Sequence, residues 1–117
     1  MTKKRAIKDF INDLVLYVLK MKKKGDTVFE YFPDNDYNRI RDIVGFSVVQ
    51  VISLSSITLH LNDISKTAYI DVFTCGNIDV EKVIDCIIKF LLIFSTCFAC
   101  FPSFIFDIND FDNEILL

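Results

Sequence analysis

"GFSVVQVISLSSITLHLNDISKTAYIDVFTCG", residues 45–76, decides the fold of this 117-residue chain. Residues 47–54 are a nearly unbroken apolar run and read as a strand. Residues 57–61 alternate, with Ile57, Leu59 and Leu61 on one side and Thr58 and His60 on the other, the two-residue repeat of a strand. "NDISK" (62–66) reads as a turn, and 68–74 as a further strand whose parity sets Asp71 and Phe73 on the side of Cys75. Strands that follow one another through short turns pair antiparallel.

Working outward, residues 27–32 read as a strand and "PDNDYN" (33–38) as a turn or loop. Ile7, Phe10, Ile11, Leu14, Val18 and Met21 recur at helical spacing, which predicts an amphipathic helix over 5–23 that Gly25 can terminate. Downstream, Asn77 or Asp79 can cap a second helix with Val80, Val83, Ile84, Ile87, Ile88 and Leu91 as its apolar stripe. A last strand is expected near 97–108. The order predicts an α+β, two-layer sandwich: a mainly antiparallel sheet with two helices packed on one face, in a single domain over residues 1–117. The other face of the sheet is left uncovered, which predicts a partner there, most simply a second copy.

Composition narrows the class. The chain is 52% apolar and 25% charged with three glycines and two prolines, which reads as globular rather than disordered. The net charge of -3 hides eight basic side chains in residues 1–24, against Asp9 and Asp13. That basic end reads as a solvated helix face with a lysine-rich exit, so no nucleic acid is expected as a partner. Four cysteines (75, 86, 97 and 100) and no signal peptide suggest free thiols in a reducing, cytoplasmic setting. Cys97-Phe-Ala-Cys100 has CxxC spacing but no second pair to complete a tetrahedral site, so it reads as apolar filling and no metal is expected. The run 87–106 approaches the length of a membrane span, yet Pro102 and the polar Ser95, Thr96 and Ser103 interrupt it; no membrane span is expected.

The chain has one histidine, His60. From pattern alone a lone strand histidine reads as a hydrogen-bonded sheet residue, and Ser47, Ser55 and Ser56 as strand-end hydroxyls. Cys75, at a strand end, is either a buried filler or a working thiol. There is no Gly-rich phosphate loop, metal-ligand cluster or nucleophile elbow.

Taken together, Gly45-Phe-Ser47, Ser55, His60 and "YIDVFTCG" (69–76) resemble the short bacterial and archaeal type of S-adenosylmethionine decarboxylase. The serines, the histidine and the cysteine fall at that family's spacing without a gap from Ser47 to Gly76. The resemblance implies self-cleavage between Leu54 and Ser55. Ser55 Oγ would attack the Leu54 carbonyl, and a β-elimination would then leave a pyruvoyl group at the new N-terminus. That group, with no metal, would be the cofactor, forming a Schiff base with the α-amine of S-adenosylmethionine as carbon dioxide leaves. Ser47 and His60 match the residues of self-processing, His60 as its acid/base, and Cys75 matches the proton donor of turnover. The product would feed spermidine synthesis, and the processed protomers would form a homodimer.

The departures fall in substrate recognition. The family's Glu-Ser cleavage site is Leu54-Ser55 here, and its Thr-Trp-Pro-Glu is Leu61, Asn62, Asp63 and Ile64. Ile64 thus stands where the family binds the ribose, leaving Asp63 and Phe73 as the substrate-binding candidates. The aromatic expected before Ser47 aligns with Arg41, near Tyr37 and Phe32. Two alternatives follow: a pyruvoyl-dependent decarboxylase of a smaller amino acid, ornithine or arginine, and a non-processing homologue that binds and regulates an active decarboxylase.

Overall fold

The structure, a computed structural model, describes residues 2–74, 76–98, 105–110 and 114–116, with side chains described as far as Ser95. The first helix, α1 (Lys3–Asn12), starts where Thr2 Oγ1 accepts the Arg5 amide at 3.0 Å. It buries Ala6, Ile7, Phe10 and Ile11. The helix expected over 5–23 ends earlier than that. From Asp13 to Val18 it widens to a π-helix, with the Leu19 amide donating to the Leu14 carbonyl at 2.8 Å, and Lys20 (φ 54°) then turns it off in the left-handed region. Lys20, not Gly25, is the stop.

Strand β1 (Val28–Phe32) follows. The expected turn at 33–38 holds a one-turn helix, α2 (Asp36–Ile40), because Asn35 Oδ1 accepts the Asn38 amide at 2.8 Å and so caps it. Then come β2 (Gly45–Ile52), β3 (Ser55–Asn62) and β4 (Thr67–Thr74), each antiparallel to the strand before.

Helix α3 (Val80–Phe98) is capped by Asp79 Oδ1, which accepts the Lys82 amide at 3.3 Å and decides between Asn77 and Asp79. It runs past residue 97, where a strand was expected to begin. β5 (Ile105–Asp110) lies parallel to β4, as a helical crossover requires, and β6 (Glu114–Leu116) returns antiparallel. The sheet order is β1-β2-β3-β4-β5-β6. Among the described residues no helix is long and apolar enough to cross a membrane.

The two long helices cover one face, as expected. Val48, Ile52, Ile57, Leu59, Leu61, Ala68, Ile70 and Val72 point at them and are buried. Each of the valine, isoleucine and leucine side chains among them contributes about 1.5–3 kcal/mol of burial. The α3 stripe is Val83, Ile87, Phe90, Leu91 and Phe94, while Ile88 faces outward; a spacing of four, three, four tracks the turn better than the run through Ile88. Phe10 stacks on Phe90 at 4.3 Å between ring centroids and ties α1 to α3. The polar Gln50, buried on this face, is satisfied: it accepts from the Thr27 hydroxyl and donates to the carbonyls of Gly25 (3.3 Å) and Val51 (2.9 Å).

The register arranges the opposite face in rows across the strands. Glu30, Ser47, His60 and Tyr69 form one row, Val28, Val49, Thr58 and Asp71 the next, and Val51, Ser56 and Phe73 a third. Val28, Val49, Val51, Tyr69 and Phe73 leave much of their surface exposed there, and among the described residues no helix covers them.

Candidate functional site

Gly45 opens β2 with φ +135°, and a Cβ built there would sit 1.9 Å from the Leu61 carbonyl oxygen. Only glycine lets β2 approach β3 this closely. A Gly45→Ala chain should therefore lose about 3 kcal/mol of stability, read as a lower urea midpoint at unchanged slope.

Two residues along, Ser47 lies directly across from His60, and Ser47 Oγ is 2.9 Å from His60 Nδ1. The pair looks into a pocket of about 380 Å³, whose lining includes Phe32, Tyr69, Asp42 and Asn62. Asn62 steadies the rim, its amide donating to the Asp42 carbonyl (3.0 Å) and carboxylate (3.1 Å). Tyr69 went unnoticed in the sequence. The signal was its parity with Asp71 and Phe73, but its neighbour His60 is set by strand register.

The substrate-binding candidates lie elsewhere. Asp63 takes an ion pair from Lys3 Nζ at 3.4 Å, and Phe73 sits two rows from His60, about 13 Å along the strand at ~3.3 Å per residue. Neither lines the pocket. The Tyr37 ring is covered by the Arg41 guanidinium, 3.5 Å from its centroid, so these two satisfy each other.

Ser55 occupies the other end of the hairpin. Ser53 and Leu54 make the two-residue turn between β2 and β3, and Leu54 holds φ +55° where glycine or asparagine would be at ease. A left-handed leucine costs roughly 1–2 kcal/mol, and its side chain, 84% exposed, regains no packing. The Ser55 hydroxyl turns inward, 8% exposed, and donates to Thr74 Oγ1 at 3.1 Å. Thr74 is fully buried, and the same oxygen accepts the Gly76 amide at 3.1 Å.

Ser55 shares the helix-covered face with Ile57 and Leu59, whereas His60 is on the open face, five residues and about 16 Å along β3. The structure thus brings Ser47 to His60 and Ser55 to Thr74, and keeps the two pairs apart within one chain. Cys75 lies outside the described residues, as do Cys100 and the side chain of Cys97. Cys86 lies in a groove between α1 and α3. Burial, then the charge of Asp13, pushes its thiol up to about 11 against the pull of Lys89, so it stays protonated at neutral pH.

Residues 1–96 match the family model for S-adenosylmethionine decarboxylase. The chain belongs to this family. No curated protein and no solved structure matches it. Membership supports a function of the S-adenosylmethionine decarboxylase type, and the family's enzymes depend on a pyruvoyl group. The residues at the hairpin end fit the making of that group. A serine hydroxyl follows a leucine in a strained backbone state at the rim of the sheet, with a polar acceptor already on the hydroxyl.

Proposed function

We propose that the chain cuts itself between Leu54 and Ser55 and acts as a pyruvoyl-dependent S-adenosylmethionine decarboxylase, supplying decarboxylated S-adenosylmethionine for spermidine synthesis in the cytoplasm. The observation that carries this reading is the Leu54-Ser55 turn, with Leu54 at φ +55° and the Ser55 hydroxyl on Thr74, in a chain of this family. Attack of Ser55 Oγ on the Leu54 carbonyl exchanges a peptide bond for an ester and releases the turn strain. The hydroxyl proton ends on the freed Ser55 amine. Loss of the Ser55 α-proton then expels the Leu54 carboxylate, and water releases ammonia. The pyruvoyl group so formed supplies an electron-withdrawing carbonyl for the loss of carbon dioxide.

The other residues bind and move protons. Cys75, which matches the family's proton donor, donates the proton to the substrate carbon. Phe32 and Tyr69 offer aromatic faces to the adenine and the sulfonium cation. Ser47 and His60, about 16 Å from Ser55 in their own chain, serve processing by reaching the exposed Leu54 turn of a second copy. The apolar open face, with Val28, Val49, Val51 and Phe73 exposed, supports a homodimer through that face.

A smaller substrate, ornithine or arginine, is the second reading. It is favoured by Asp63 being engaged with Lys3 while Ile64 holds the place of the ribose-binding glutamate. Carbon dioxide release from S-adenosylmethionine, ornithine and arginine decides between them. A Cys75→Ala chain should still be cut yet turn over at least ~100-fold more slowly. Inactivity of the cut wild-type chain on all three substrates would sink both readings.

A further inference from the structure

We infer that Thr74 is a positioning residue for self-cleavage, its Oγ1 acting as the acceptor that aims the Ser55 hydroxyl at the Leu54 carbonyl. The inference rests on the proposed cleavage between Leu54 and Ser55 and names the group that prepares it. Ser55 and Thr74 are cross-strand partners on the helix-covered face, so β3–β4 pairing delivers the two hydroxyls to each other. Both are buried, at 8% and 0% exposure. Bulk water is therefore a poor substitute for either.

The Gly76 amide, a fixed donor on Thr74 Oγ1, and the 3.1 Å approach of the two hydroxyls carry the inference. Thr74 Oγ1 accepts the Gly76 amide at 3.1 Å, and it accepts the Ser55 hydroxyl at 3.1 Å. A hydroxyl oxygen has two lone pairs, and these two donors use both. The Gly76 amide fixes the threonine rotamer, and the threonine in turn fixes the serine. With its proton turned to Thr74, Ser55 Oγ keeps its lone pairs free for the carbonyl carbon of the preceding residue. As the O–C bond forms and the C–N bond breaks, Thr74 Oγ1 shares the departing proton, which ends on the Ser55 nitrogen. His60 cannot do this within the chain, being about 16 Å away and on the other face.

The test follows conversion of the 117-residue chain into its two pieces by intact-mass spectrometry, with thermal melts alongside. Thr74→Val keeps the volume and removes the acceptor, and should slow cleavage by about 100-fold. Thr74→Ser keeps the oxygen and loses a methyl group. It should melt lower than wild type and still cut within a few-fold of the wild-type rate. A purely structural role would instead make cleavage follow the melting temperature across the variants. Should Thr74→Val not fold, Thr74→Ala against Thr74→Ser isolates the same oxygen. Equal cleavage rates for Thr74→Val and wild type, or for Thr74→Ala and Thr74→Ser, would overturn the inference. A wild-type chain that never cuts is a separate result: it removes the cleavage reading itself, and the role of Thr74 with it.

Discussion

A Ser55→Ala chain should remain a single 117-residue polypeptide, while the wild-type chain separates under denaturing conditions into pieces of 54 and 63 residues. The expected effect is total, because no other atom at that position can attack the Leu54 carbonyl. The fold should tolerate the change. Ser55 begins a strand rather than shaping the turn, and Thr74 Oγ1 keeps the Gly76 amide when it loses the serine. One lost buried hydrogen bond costs about 1 kcal/mol, too little to unfold a domain of this size. Intact-mass spectrometry reads the outcome directly, and the larger wild-type piece should lack a free N-terminal amine. A wild-type chain that stays whole after long incubation would favour the regulatory homologue.

The second large effect concerns His60. His60→Ala alone should be cut at least ~100-fold more slowly than wild type, the usual scale for losing a positioned acid/base. Mixed with Ser55→Ala chains, which retain the Ser47–His60 pair, the His60→Ala chains should be cut again. The proposed reason is geometric: the pair lies about 16 Å along β3 from Ser55 of its own chain, whereas the Leu54 turn, 84% exposed, is open to the pair of a neighbouring copy. The masses identify which chain has been cut, since only the His60→Ala chain carries the nucleophile. Normal cutting of His60→Ala by itself would return His60 to the bland role of a sheet residue. Loss without rescue would tie its effect to its own chain.

The strands were legible because their alternation is strict: Ile57, Leu59 and Leu61 could face only the core, and the turn at 62–66 had to follow. The helix ends were less so. Lys20 ends the first helix through a backbone state that a lysine does not advertise, and Asn35 caps a helix inside a stretch with every mark of a loop. Of the site, the spacing of Ser47, Ser55, His60 and Cys75 pointed to the family but not to the grouping. Along the chain Ser55 stands closer to His60 than Ser47 does. The hairpin reverses that relation, putting Ser47 across from His60 and sending Ser55 to the turn. Thr74 was hidden for the same reason: register sets its contact with Ser55 across nineteen positions, and periodicity carries no trace of it.

The hairpin has a further consequence for the molecule once cut. The turn at Ser53 and Leu54 is all that links two substantial bodies: α1, β1, α2 and β2 on one side, β3, β4, α3, β5 and β6 on the other. Eight facing residue pairs from Gly45–Asn62 to Ile52–Ser55, and the Phe10–Phe90 stack, keep them joined without it. After the cut, folding ceases to be the closing of one chain on itself and becomes an association of two. Unfolding then frees two independent polypeptides, and the entropy of mixing them makes the melting temperature depend on concentration where the uncut monomer's would not. A piece lost to a protease could not be replaced from the same molecule. The proposed cut between Leu54 and Ser55 would thus also make refolding a search for a partner.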